Sequence, residues 1–148
     1  MRKIIFFSVA FFLLPVAGCL DFGENIETEE PTAEQLAFCQ SAMYLNDQLA
    51  YEPIGLRIDA TGIDAVAWFC FYTEEEAIER IFDSEFVSAD SLSGPVSFYS
   101  NESMPAWWDV DEKVFEGGTV SLNGGIHMTV GIHREERGST VYIFWCES

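Results

Sequence analysis

The stretch from Val114 to Cys146, VFEGGTVSLNGGIHMTVGIHREERGSTVYIFWC, decides how the chain folds. Three runs, Val114–Leu122, Ile126–Arg134 and Ser139–Cys146, are rich in β-branched and aromatic residues. Asn123–Gly124–Gly125 and Arg137–Gly138 separate them, and such residues accept the positive φ that tight turns need. The three runs therefore read as an antiparallel meander.

Upstream of it, Pro95–Ser100 reads as a further strand after a loop through Ser91–Gly94. The run Val66–Tyr72 (VAWFCFY) is apolar throughout, which suits a strand covered on both faces, with Trp68 in the core. Before the Ala60–Thr61–Gly62 break, Ile54, Leu56 and Ile58 alternate with Gly55, Arg57 and Asp59, the period of a strand with one wet face. Two helices are predicted. Thr32 and Gln35 have capping-box spacing, and Leu36, Cys39, Ala42 and Met43 fall on one face of about 15 helical residues. Thr73 and Glu76 repeat the spacing, with Ala77, Ile78, Ile81 and Phe82 as the buried stripe of a second, shorter helix. The expected fold is α+β: an antiparallel sheet of about five strands with two helices packed on one face.

The first residues carry an address. Met1-Arg2-Lys3 is followed by an uncharged run, Ile4–Leu14, of about 11 residues, short of the roughly 20 that span a bilayer as a helix. A positive start, an apolar run and then small residues make a secretory signal peptide. Val16-Ala17-Gly18-Cys19 resembles the lipobox of bacterial lipoproteins. That resemblance implies cleavage before Cys19, a diacylglycerol on its thiol, and attachment to a membrane through two or more acyl chains. It also implies, from Leu20 in place of aspartate, an outer-membrane destination in a Gram-negative cell. Leu20–Pro31 (LDFGENIETEEP) has five acidic and no basic residues and reads as a flexible tether reaching roughly 20 Å. The expected organisation is a signal peptide at 1–18, a lipidated acidic tether at 19–31 and one domain at 32–148.

Removing the 18-residue leader from 148 residues leaves 130, with 25 acidic side chains against five basic ones and a net charge near −20. Such a surface repels phosphate backbones, so nucleic-acid binding is excluded. A basic or envelope protein partner is allowed. In an oxidising compartment one disulfide among Cys39, Cys70 and Cys146 is expected, and no pair has the C-x-x-C spacing of a redox or zinc motif.

Little else points to chemistry. His127 and His133 share a strand face but stand about 20 Å apart, too far for one metal ion. Ser93–Gly94 lacks a nucleophile elbow. Asp109, Asp111 and Glu112 do not follow the order of an EF-hand loop, and a solvated loop explains them better. Trp107 and Trp108 are adjacent, so one can fill the core while the other faces out to anchor a partner or stack on a sugar. Together with Asp109 they form the candidate interaction segment. No catalytic residue, metal or cofactor is read from the sequence.

Pro105-Ala106-Trp107-Trp108-Asp109, followed by Val130-Gly131-Ile132 and Val141-Tyr142-Ile143-Phe144-Trp145, resembles small uncharacterised bacterial exported proteins. Those carry a Pro-x-Trp-Trp-Asp segment and an aromatic last strand. The resemblance, over roughly 54–146, implies a fold and no activity. The expectation is a membrane-anchored envelope lipoprotein, not an enzyme, that binds a protein or scaffolds an assembly. The alternatives are a small-ligand or glycan binder using Trp107 or Trp108, and an inhibitor or immunity-type lipoprotein against a basic enzyme.

Overall fold

The computed structural model describes residues 25–60 and 64–147. Seven strands form one sheet: β1 (Ile26–Thr28), β2 (Glu52–Asp59), β3 (Val66–Thr73), β4 (Gly94–Val96), β5 (Phe115–Leu122), β6 (Ile126–Arg134) and β7 (Ser139–Glu147). Their order is β1-β2-β3-β7-β6-β5-β4, and every neighbouring pair is antiparallel. Two meanders, β1–β3 and β4–β7, thus meet where β3 pairs with β7. The meander anticipated from Val114–Cys146 forms, and Gly124, Gly125 and Gly138 take the positive φ that its turns demand.

The expectation of about five strands with two packed helices is overturned. Among the described residues only α1 (Ala33–Ala42) is a helix of more than one turn, capped by Thr32 and Gln35 as the spacing required. The second helix shrinks to α2 (Ile78–Ile81), four residues starting after Ala77, which has no side chain to cap it. The reason lies at Thr73. It is the last residue of β3, paired with Ser139, and its hydroxyl donates to Ala50 O at 2.9 Å while accepting from Glu75 N–H at 3.2 Å. A residue held in the ladder turns the chain without starting a helix. The added strands are short. β1 comes from the stretch read as tether, with Ile26 opposite Ile58, and β4 is three residues where six were expected.

Two apolar layers cover the sheet. On one face Cys39 of α1 and Met43 just after it join Leu56, Phe69, Val130 and Ile143 in one buried layer, with Phe82 of the α2 region and Leu92 of a 3₁₀ turn (Ala89–Leu92) completing it. On the other face the long loop 97–114 lays Trp107, Trp108 and Val110 over Cys70, Phe115 and Tyr142. Among the described residues no helix is long and apolar enough to cross a membrane.

Candidate functional site

The loop-covered face reads as rows, because alternate residues of each strand share a face and registered neighbours stand side by side. The first row is Gly55, Cys70, Tyr142, Gly131 and Gly117 on β2, β3, β7, β6 and β5. The second is Arg57, Trp68, Phe144, Thr129 and Thr119, and the third is Asp59, Val66, Cys146, His127 and Ser121.

Glycines in the first row let the loop settle on bare backbone. A Cβ at Gly55 would lie 2.1 Å from Cδ2 of Trp107, and one at Gly131 would lie 2.4 Å from Cε2 of Phe98. Phe98 and Trp108 then meet edge to face at 5.2 Å, and Trp108 meets Tyr142 at 5.5 Å. A polar latch fixes the loop's far end. The Tyr142 hydroxyl donates to Asp109 Oδ1 at 2.5 Å, and Lys113 Nζ donates to Asp109 Oδ2. Burial works to raise the Asp109 pKa, but the hydrogen bonds from Lys113 and Tyr142 outweigh it and hold the carboxyl below its ordinary range. Burial, and then the bond to Asp109, pushes the Tyr142 hydroxyl well up, so it stays a donor.

The second row lies beyond this cover and is half exposed. Arg57, Trp68, Phe144 and Thr129 floor a cleft of about 410 Å³, and Phe98, Met104 and Trp108 wall it from the loop side. Ser97, Tyr99, Asn101 and Ser103 form its rim. Trp68 and Phe144 pack with ring centroids 5.4 Å apart. The Arg57 guanidinium lies 5.2 Å from the Trp68 ring centre and donates to both carboxylate oxygens of Asp59, at 3.1 and 3.0 Å. Its Nη1 also donates to Ser103 O at 2.9 Å and lies 3.8 Å from Glu27. Arg57 therefore stitches the rim to the sheet with its charge already balanced, leaving the cleft close to neutral inside an acidic domain. Of the residues that line it, Arg57 and Tyr99 are the titratable ones.

The residues singled out from the sequence are placed differently. Trp107 and Trp108 are 9% and 2% exposed, so neither is the outward platform. Trp107 sits on Gly55, and only Trp108 reaches the cleft wall. Its indole N–H is buried without an acceptor, but so is that of Trp145 in the opposite layer, so the orphan alone does not mark a ligand. Asp109 is the latch. Cys39, Cys70 and Cys146 are free thiols, and the expected bridge is corrected by geometry. Cys39 packs on the helix-covered face, whereas Cys70 and Cys146 stand on the other, two rows or about 13 Å apart, beyond the roughly 7 Å limit for a disulfide. Burial raises the Cys39 and Cys70 thiols to about 12. His127 and His133 share the loop-side face as expected, bonded to Ser121 Oγ and Val114 O. No group of three metal-ligating side chains stands together among the described residues. Cys19 and the leader lie outside the described residues.

Arg57, Trp68, Phe144 and Phe98 were not singled out as site residues. The available signal was the unequal row: three glycines beside a row of large side chains at matching strand positions. It becomes readable only once the register is known. Comparison with family models, curated proteins and solved structures finds no match.

Proposed function

We propose that the protein is a lipid-anchored envelope lipoprotein whose domain recognises, without catalysis, an uncharged sugar residue in the cleft over Trp68 and Phe144. One observation carries this reading: an aromatic-floored cleft of about 410 Å³ with hydroxyl and amide groups on its rim and a neutralised arginine in its floor. Binding sites for small molecules combine apolar walls with a few convergent polar groups. Sugar rings suit that mixture, with C–H faces for the rings of Trp68 and Phe144 and hydroxyls for Ser97, Asn101, Ser103 and Thr129. A surface near −20 disfavours anionic ligands. The sugar takes the place that sequence reasoning gave to Trp107 and Trp108, one row further along the sheet.

Titration of the mature protein with neutral oligosaccharides, read by tryptophan fluorescence, tests the site. Saturable binding that Trp68→Ala or Phe144→Ala abolishes, with the fold intact by circular dichroism, is expected. Binding indifferent to both changes, or none across the panel, overturns it. The anchor has its own test: Cys19→Ala releases the protein from membranes, and persistent membrane pelleting refutes the lipoprotein assignment.

A protein partner is the second reading, favoured by Tyr99 and Val114, which are 80% and 84% exposed on the same loop. A basic partner crosslinked through Tyr99, and lost on Tyr99→Ala, would support it.

A further inference from the structure

We infer that the end of the sheet beside the cleft faces the membrane, so that the sugar the cleft takes is the headgroup of a neutral glycolipid in the same bilayer. This rests on the reading that Cys19 carries the lipid and that the cleft takes a sugar.

The first observation is the length of chain between the anchor and the sheet. β1 begins at Ile26, seven residues after Cys19. Seven residues span at most about 25 Å, whatever their conformation. The link is much shorter than a tether running to Pro31 would be, and it limits how the domain can turn.

The second is where the chain enters. Ile26 stands opposite Ile58, and Asn25 Oδ1 accepts from Ala60 N–H at 3.2 Å. The chain therefore joins the sheet at the end marked by the third row, with Asp59, Val66, Cys146, His127 and Ser121. Of that row, His127 and Ser121 are exposed, and Asp59, Val66 and Cys146 are half-buried. Phe98 and Trp107 cover the first row, and the cleft floor is the second, which stands next to the third. Rows are about 7 Å apart, which puts the cleft floor one row in from the point where the anchor pulls.

Charge then selects the headgroup. Arg57 is held by Asp59 and Glu27, and the domain as a whole repels anionic lipid surfaces. An uncharged headgroup with hydroxyls pays no such penalty.

Cys146 supplies a native reporter, because it lies in the third row and is only partly buried, whereas Cys39 and Cys70 are fully buried. The mature lipidated protein in phosphatidylcholine vesicles is spin-labelled at Cys146. A Cys146→Ser, Arg137→Cys variant carries the label at the β6–β7 turn, the far end of the sheet. Relaxation by a paramagnetic chelate attached to lipid is expected to be several-fold stronger at Cys146. Equal relaxation, or stronger relaxation at position 137, overturns the orientation without touching the sugar reading, since no ligand is present.

A second arm adds a monohexosyl diacylglycerol to the vesicles and follows tryptophan fluorescence. Capture of this lipid is expected, and a Gly/Ser spacer inserted after Glu24 that triples the link should weaken it about five-fold. The same spacer should leave the affinity for free neutral oligosaccharide unchanged. Equal capture with and without the spacer overturns the inference, as does the same fluorescence change on phosphatidylcholine alone, which would assign the cleft to a zwitterionic headgroup. Failure to bind free oligosaccharide at all defeats the sugar reading itself, whichever way the labels point.

Discussion

The two faces of this sheet are covered by different means. On the helix side, Leu56, Phe69, Phe71, Val130 and Ile143 have no exposure, and α1 and the short turns close over them completely. Burial there is continuous from β2 to β5, so the layer supplies most of the stability that apolar burial can give. On the loop side the cover is 97–114, whose own backbone bonds are the turns Met104 N–H to Asn101 O and Trp108 N–H to Pro105 O. It is held by rings seated on glycines, by the Asp109 latch and by Arg57. A cover fixed at points, and not along its length, can stop short of the sheet's end and leave a cleft.

The largest expected effect breaks this contrast on the helix side. Phe69→Ala should cost about 3–5 kcal/mol, measured by chemical denaturation. A loss under about 1 kcal/mol would mean that the helix-side layer is not the stabilising one. Next comes the seat of the loop. Gly55→Ala drives a methyl group into the Trp107 ring and should cost about 1–3 kcal/mol by overpacking. Limited proteolysis should then cut within 97–114 while the sheet still resists. Cleavage unchanged from the parent would show that the loop is held elsewhere.

A smaller effect belongs to the latch. Asp109→Asn should cost about 1 kcal/mol at neutral pH, modest because its side chain is more than half exposed and solvent screens the pair with Lys113. The sign with pH follows from the lowered carboxyl. The contribution is complete above the ordinary value of 3.8 and is lost as pH falls through the lower folded value. The gap between parent and variant should therefore close below pH 3.8, and a gap that persists in acid would refute the ionic latch. Smallest of all, Thr129→Val in the cleft floor should shift stability by no more than about 0.5 kcal/mol while weakening sugar binding. Undiminished binding would take Thr129 out of the site.

The contrast between the faces also explains what the sequence made legible. The meander was readable because Asn123–Gly125 and Gly138 punctuate long β-rich runs, and β6 falls on the expected residues. α1 was readable from Thr32 and Gln35, which meet as a cap. The second helix was misread because Thr73 and Glu76 carry the same spacing, and spacing cannot reveal that Thr73 is held in the β3–β7 ladder. The cleft was hidden for a related reason. Trp68 lies in an apolar run that reads as core, yet it stands half exposed because the loop walls the cleft around it without filling it. The bulge between Pro53 and Gly55, which adds Ile54 to the loop-side layer, has no marker in the sequence either. Local patterns were visible; features set by registration across strands were not.

Among the described residues, both outermost strands of the sheet are three residues long. A long bare edge presents unpaired amide and carbonyl groups that can template pairing with a foreign strand, and crowded surroundings make this dangerous. Here β1 is too short to recruit a partner, and β4 carries Pro95, which has no amide hydrogen to offer. At these two strands, shortness and a missing amide hydrogen both work against recruitment of a foreign strand.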